Sequence, residues 1–325
     1  MIVENNENFE VLLNEEEVSN KEKWLETRKL GIGGSDAGTV MGMNKFSTRL
    51  KLYLERTGEL EQFTGNKSTK RGSRLEPVIR KHTAEDFLEQ FEVEIKVKEF
   101  KAMMRSKKHS FMLANIDGLV EHPEKGEGIL EIKTATFRSK EDWEDGGIPP
   151  QYFCQIQHYM AVTGLSWALI VCWIDDDVEF RVVDRDEEFI NGMIEVERVY
   201  WEEHIGKLIP PAVAVGDKAV LSELYNVSVE NTIELNAFDD AITSMQDVKE
   251  NIKELNSAKE LVENRIKEAM QDNKRATTSN WKMSWSRSET TKFDSKKFKA
   301  ENPDLYKKYE YATTRDSGLR ITKKK

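Results

Sequence analysis

The chain has 325 residues, 33% of them charged and 38% hydrophobic. That is a charge-rich composition, still apolar enough for one large domain or a core domain with an appendage. Its net charge of −10 is unevenly spread: Lys274 to Lys325 carries 15 Lys/Arg against 6 Asp/Glu, or +9, leaving −19 on the first 273 residues. An acidic body with a basic tail keeps nucleic acid open as a partner, and suits carboxylates that hold metal ions. Cys154 and Cys172 are too few for a disulfide framework, a four-thiolate zinc site or an iron–sulfur cluster. No apolar run could span a membrane, and the acidic start MIVENNENFEVLLNEEE lacks a secretory pattern. A cytoplasmic protein with no membrane partner is expected.

Residues 1–20 read as a flexible acidic lead-in, with structure beginning near Trp24. Leu30-Gly31-Ile32-Gly33-Gly34-Ser35-Asp36 is a glycine-rich turn, with Ser35 or Asp36 as cap of a helix reaching about Met43. A second helix is expected from Thr48 to Thr57, stopped by Gly58, then a polar, basic loop from Gly65 to Gly72 and a third helix from Leu75 to Gln90. Val93, Ile95 and Val97 alternate with charged residues as a half-exposed strand, followed by strands over Phe111–Glu121 and Gly128–Ala135. A loop at 146–150 leads to a helix over Gln151–Val162, closed by Gly164. Trp167–Ile174 is an unbroken apolar strand suited to a sheet centre, and Val178, Phe180 and Val182 mark its hairpin partner. An amphipathic helix from Asp186 to Lys207 ends this unit at Pro210-Pro211. The order predicts a mixed α/β (α+β) layer fold over 21–211. The remaining chain, 212–325, reads as an extension. It has a heptad-like helix over 237–272, about 50 Å long, carrying Phe238, Ala241, Met245, Val248, Ile252, Leu255 and Val262. A basic, β-containing tail over 274–325 follows, with a Trp281/Met283/Trp285 alternation, a short helix from Asp294 and a hairpin around Asp316-Ser317-Gly318.

The chemistry concentrates in Asn115-Ile116-Asp117-Gly118 and Leu130-Glu131-Ile132-Lys133. On a strand, Glu131 and Lys133 share one face and Leu130 and Ile132 the other. Asp117, beside a turn-permitting glycine, is expected next to them across a hairpin. Two carboxylates on one face repel unless a cation holds them, and Mg²⁺ suits oxygen ligands and phosphate chemistry. Lys133 could polarise a water or balance charge developing on phosphorus. The same Glu-x-Lys pattern also fits a surface ion pair. Ser73-x-x-Glu76 fits a capping box. Gln155-x-x-x-Tyr159 lies on one helix face, and Trp24-x-x-x-Arg28 with Gly33-Gly34-Ser35-Asp36 fits either an anion site or a plain capped helix.

The ordered set Arg28, Ser35, Gly72…Glu76, Ile116-Asp117-Gly118, Glu131-Ile132-Lys133 and Tyr152-x-x-Gln155-x-Gln157-x-Tyr159 resembles the YqaJ family of viral-type recombination nucleases, over about Trp24 to Pro210. These are relatives of phage lambda exonuclease in the PD-(D/E)XK superfamily. The resemblance implies a restriction-endonuclease-like core and a Mg²⁺-dependent 5′→3′ exonuclease on double-stranded DNA, with Mn²⁺ able to substitute. Its partners would be 5′-phosphorylated duplex ends and a single-strand annealing protein, and relatives form trimeric rings, in a phage or prophage setting. Asp117, Glu131 and the Ile132 carbonyl match metal ligands, Glu76 a carboxylate near a second metal, Lys133 the catalytic lysine, and Gln155 and Tyr159 the Gln-x-x-x-Tyr element. Arg28 and Ser35 match 5′-phosphate contacts, Gln157 a DNA contact, and Arg138 stands in for an arginine between 137 and 150, where the length departs from the lambda enzyme. An iron–sulfur relative from CRISPR adaptation is disfavoured by the cysteine count. A PD-(D/E)XK endonuclease and a catalytically silent DNA-binding or scaffold protein remain as rivals.

Overall fold

In the computed structural model, which describes residues 6–227, 230–312 and 319–322, the chain enters as a strand, β1 (Phe9–Leu13). Phe9 and Leu13 are buried, and the strand pairs antiparallel with β4 (Met103–Ser106). A short helix, α1 (Glu15–Val18), follows, capped by Asn14. The expected flexible lead-in is therefore corrected from Phe9 onward. The alternation of Phe9, Val11 and Leu13 is a strand signal that the surrounding acidic residues obscured.

α2 (Lys21–Arg28) leads into β2 (Ile32–Gly33) and α3 (Gly34–Val40). The N-cap of α3 is Gly33, neither Ser35 nor Asp36; the Asp36 carboxylate instead accepts the Gly33 N–H at 3.2 Å. α4 (Arg49–Thr57) has Thr48 as its cap and ends at left-handed Gly58, as expected. α5 is one helix over Lys67–Phe91, so the expected loop at 65–72 is overturned. Asn66 and Thr69 cap it reciprocally, which leaves Ser73 to donate to the Thr69 carbonyl rather than to form a box with Glu76. Gly72 sits inside the helix against Thr134.

β3 (Lys96–Glu99), β6 (Gly118–His122), β7 (Gly126–Ala135), β8 (Trp167–Ile174) and β9 (Asp177–Asp184) form a five-stranded sheet in that order. Within this sheet only the pair β7 and β8 is parallel, joined by the crossover helix α6 (Pro150–Thr163). The expected strand 111–121 is two strands in two sheets. Its first part, β5 (Met112–Ala114), joins β1, β4 and β2 in a four-stranded sheet. Asp117 thus lies at the crossing between sheets, immediately before β6.

Alternation along β7 sorts its side chains. Leu130 and Ile132 pack with Ile79 and Phe87 of α5, while Ile129 joins Ile156 and Met160 of α6 on the opposite face. α7 (Glu187–Val199) continues through a π-helical turn, Tyr200–Ile205, and α8 (Lys218–Leu224) follows. The first structural unit extends to Asn226, not Pro211. Asp217 explains this: it is fully buried, accepting from the Thr48 hydroxyl and from the Ala214 N–H at 2.7 Å.

The second unit, Val227–Lys325, holds α9 (Asp239–Met270), a hairpin of β10 (Arg275–Thr277) and β11 (Lys282–Ser284), α10 (Ser295–Glu301) and α11 (Pro303–Tyr309). The expected hairpin at Asp316-Ser317-Gly318 lies outside the described residues. No helix among the described residues is long and apolar enough to cross a membrane.

One buried ion pair ties three elements. His158 of α6 contacts Glu197 of α7 through Nδ1 at 2.8 Å and the Leu113 carbonyl of β5 through Nε2 at 2.9 Å. Burial alone would lower the imidazole pKa, but Glu197 outweighs it and the net shift is upward. The stabilisation is full below the ordinary value of 6.5 and is lost as pH rises through the higher folded value. His158→Gln is expected to cost about 3–5 kcal/mol at mildly acidic pH. Thermal melts across pH should show the gap from wild type narrowing as the buffer becomes alkaline; a constant gap would remove the ion pair from the account.

Candidate active site

The hairpin and the crossover helix bring one cluster together. Asp117 Oδ2 accepts the Ile132 N–H at 2.7 Å, which fixes the carboxylate across the start of the hairpin. Glu131 is only 2% exposed, on the face of β7 that α6 covers. Lys133, two residues on, bonds Glu131 Oε1 with its ammonium and donates to Gln155 Oε1 at 3.0 Å. Gln155 Nε2 donates to Glu131 Oε1 at 2.7 Å and to the Tyr159 hydroxyl at 3.0 Å. The Lys133 ammonium also lies 4.7 Å from the Tyr152 ring centre. Glu131, Lys133, Gln155 and Tyr159 thus form one hydrogen-bonded chain, with Asp117 as the second carboxylate.

The charges are strongly coupled through their surroundings. Burial, then the Asp117 carboxylate, push the Glu131 carboxyl up to about 8, against the pull of Lys133. Burial also raises Asp117. Burial would lower the Lys133 ammonium, but Glu131 and Asp117 outweigh it and hold it above its ordinary value, so it is charged. The Tyr159 phenol is raised by burial, then by Glu131 and Asp117.

Glu76 faces this cluster from α5; burial and then Asp117 raise its carboxyl. It is paired with Arg80 one turn on, which also donates to the Asp117 carbonyl at 3.0 Å and to Glu99 at 2.6 Å. Arg80 was not singled out from sequence, although Glu76-x-x-x-Arg80 is an i, i+4 pair. It holds the main chain of Asp117 while neutralising Glu76.

Among the described residues no group of three or more His, Cys, Asp or Glu side chains is disposed to hold a metal. A two-carboxylate site remains, and one observation bears on whether a cation fits it. Glu131 Oε2 is buried with no hydrogen-bond partner. A buried, unpartnered carboxylate oxygen beside a second carboxylate is costly alone and favourable against a hard divalent cation. The residues fit such an ion.

Arg28 and Ser35 also meet. Arg28 Nη2 donates to Ser35 Oγ at 3.0 Å and to Asp36 Oδ1 at 2.7 Å. Asp36 in turn binds Arg56. Burial opposes ionisation of Asp36, but Arg28 and Arg56 outweigh it and hold the carboxyl below its ordinary value. The motif Gly33-Gly34-Ser35-Asp36 placed Asp36 beside Arg28, but Arg56 is twenty positions from Asp36 and only folding joins them. Two glycines set the approach: a Cβ at Gly34 would fall 2.3 Å from the Tyr159 ring, and one at Gly38 would fall 2.8 Å from Gln151. α3 is therefore pressed against α6, and Arg28 acts electrostatically on Tyr159. Tyr159 lies between the Arg28 group and the carboxylate cluster.

Two candidates fall elsewhere. Gln157 is fully buried, donating to the Asp184 carbonyl at 2.9 Å and accepting the Asp186 N–H at 3.0 Å. It ties α6 to the end of β9 and is not placed to touch DNA; the i+2 step from Gln155 turns it to the opposite side of the helix. Arg138 is exposed on the segment Phe137–Gly146, which is anchored by Arg181 of β9 through the Trp143 and Gly147 carbonyls.

Comparison with known proteins places these residues in context. Residues 23–166 match the YqaJ-like viral recombinase domain. The chain is 31% identical over 314 residues to the protein YqaJ of Bacillus subtilis strain 168, covering 94% of this chain and 95% of that one. Among solved structures, an alkaline exonuclease from Laribacter hongkongensis aligns at 22% identity and a TM-score of 0.44, over 58% of this chain and 96% of its own. A phage-related exonuclease from Haemophilus somnus 129PT aligns at 16% identity and a TM-score of 0.38, over 57% of this chain and 99% of its own.

Proposed function

Because the chain belongs to the YqaJ-like viral recombinase family, we propose that it is a PD-(D/E)XK nuclease, a Mg²⁺-dependent 5′→3′ exonuclease on double-stranded DNA. The observation that carries this reading is Glu131: a buried carboxylate with one unpartnered oxygen, beside Asp117 and bonded to Lys133 and Gln155. Asp117, Glu131 and the Ile132 carbonyl would hold the ion, with Glu76 near a second position. When bound, Mg²⁺ supplies a hard positive charge that acidifies water and offsets charge on phosphate oxygens.

The chain's own groups do the rest. Lys133, charged and oriented by Glu131 and Gln155, stabilises negative charge that develops at the scissile phosphate. Tyr159 fixes the Gln155 amide, which fixes Lys133 in turn. Arg28 and Ser35 take the 5′-phosphate beyond Tyr159. The Ser35 oxygen accepts from Arg28, leaving its own O–H to donate, and the Arg28 guanidinium provides charge-assisted bonds. The 3′ single strand left behind would pass to an annealing protein in phage-type recombination. Assembly as a trimeric ring and action in the bacterial cytoplasm belong to the same proposal.

The test is cleavage of 5′-phosphorylated, 5′-hydroxyl and covalently closed circular duplexes, with and without Mg²⁺. The proposal expects Mg²⁺-dependent loss of the linear substrates, faster with a 5′-phosphate, and intact circles. Cut circles would favour an endonuclease, and no cleavage of any substrate a silent binding protein. Arg28→Ala should slow the phosphorylated substrate about ten- to a hundredfold and the hydroxyl substrate much less, since a charged hydrogen bond is worth roughly 1.5–3 kcal/mol. Equal slowing of both, with a lower melting temperature, would reduce Arg28 to a structural partner of Asp36.

A further inference from the structure

The catalytic reading uses nothing after Asn226, yet the second unit carries a distinct chemistry. Residues 274–311 contain ten Lys/Arg against five Asp/Glu, and 274–287 contain four Lys/Arg and no carboxylate. Seven aromatic side chains are interleaved with them. Large rings at a surface lose hydrophobic stabilisation, so their exposure calls for an explanation. Trp281 is 73% exposed, Phe293 72%, Tyr309 71% and Tyr311 84%.

The hairpin sorts these groups by alternation. Ala276 pairs with Met283 on a half-buried face, while Arg275, paired with Ser284, and Lys282, paired with Thr277, share the exposed face. The helical part forms a cleft of about 430 Å³ walled by Phe293, Phe298, Tyr306, Tyr309, Glu310 and Tyr311. Phe293 and Phe298 meet at 5.1 Å between ring centres. The one carboxylate in the wall, Glu310, is neutralised by Lys299 at 2.8 Å, whose ammonium also lies 4.5 Å from the Tyr306 ring centre. The wall is aromatic, with no aliphatic side chain, and its surroundings are cationic.

We propose that residues 274–311 bind single-stranded nucleic acid, with the exposed rings of Trp281, Phe293, Tyr309 and Tyr311 stacking on bases and Arg275, Lys282 and their basic neighbours meeting phosphates. Open π-faces recognise unstacked bases, whereas the bases of a duplex are already stacked. The proposal rests on the nuclease reading only for the origin of the strand; the binding itself requires no cleavage.

The experiment measures fluorescence anisotropy of labelled oligothymidylate, and of a duplex of equal length, with the full chain in EDTA. Trp281→Ala and Tyr311→Ala should each weaken oligothymidylate binding roughly five- to a hundredfold, with little effect on the duplex. Tyr311→Phe should keep the affinity, and added salt should weaken it. The doubly substituted Arg275→Glu, Lys282→Glu chain changes only exposed hairpin positions and should also lose affinity, which keeps the test open if an aromatic variant misfolds. Wild-type affinity in both alanine variants and in the charge-reversed chain, or equal losses on single strand and duplex, would overturn the proposal. Failure of wild type to cleave linear duplex with Mg²⁺ would sink the nuclease reading and leave this result standing.

Discussion

Asp117→Asn is expected to abolish Mg²⁺-dependent cleavage and to leave the metal-free fold as stable as wild type or slightly more so. The amide keeps an oxygen to accept the Ile132 N–H, so the crossing between the sheets is preserved. It removes one of two buried carboxylates that raise each other's free energy, while Lys133 retains Glu131 as its partner. A hard cation loses a charged oxygen ligand, worth several kcal/mol of transition-state stabilisation, or on the order of a thousandfold in rate. A second readout needs no turnover. An ion that binds the folded state at a hundred times its Kd stabilises wild type by about 2.7 kcal/mol, so Mg²⁺ should raise the melting temperature of wild type and not of the variant. Near-normal cleavage, or equal Mg²⁺ stabilisation of both chains, would remove Asp117 from the site.

How much of this was legible in the sequence differs from element to element. Glu131 and Lys133 on one face of β7, with Leu130 and Ile132 on the other, followed from strand alternation alone. α4 and α6 were bounded by Thr48, Gly58 and Gly164, residues whose cap and left-handed conformations are local properties. The failures are of two kinds, a local cap overlooked and pairings made only by the fold. α5 begins at Lys67 because Asn66 and Thr69 cap it, and Gly72 inside the helix had suggested a loop. β1 pairs only with β4, and β4 is held between β1 and β5, so neither carries a strong signal by itself. In the site, Asp117, Glu131, Lys133, Gln155 and Tyr159 sit in short motifs at strand and helix spacing. The bond from Arg56 to Asp36 and those from Arg80 to the Asp117 carbonyl and Glu99 are contacts that local spacing does not dictate, and Gln157, read from the same motif as Gln155, turns away because a helix rotates about 200° in two residues.

Replacing Lys133 separates stabilisation of the reaction from binding of the substrate. Its ammonium is committed to the buried Glu131 carboxylate, through Oε1, and to Gln155 Oε1. Lys133→Met keeps an unbranched apolar side chain and removes the ammonium that lies over Tyr152. Turnover should fall about a hundred- to a thousandfold, the range for one preorganised donor aimed at developing charge. Affinity for duplex DNA in EDTA should change little, because an interaction made mainly in the transition state does not hold the ground state. Lys133→Arg should not restore the rate: a planar guanidinium cannot occupy the compact position between a carboxylate and an amide oxygen. The methionine chain should also lose stability without metal, about 3–5 kcal/mol for leaving Glu131 buried without its partner, and Mg²⁺ should return part of it. A variant that loses DNA affinity in proportion to rate would make Lys133 a phosphate contact instead, and one that keeps its rate would take the lysine out of the mechanism.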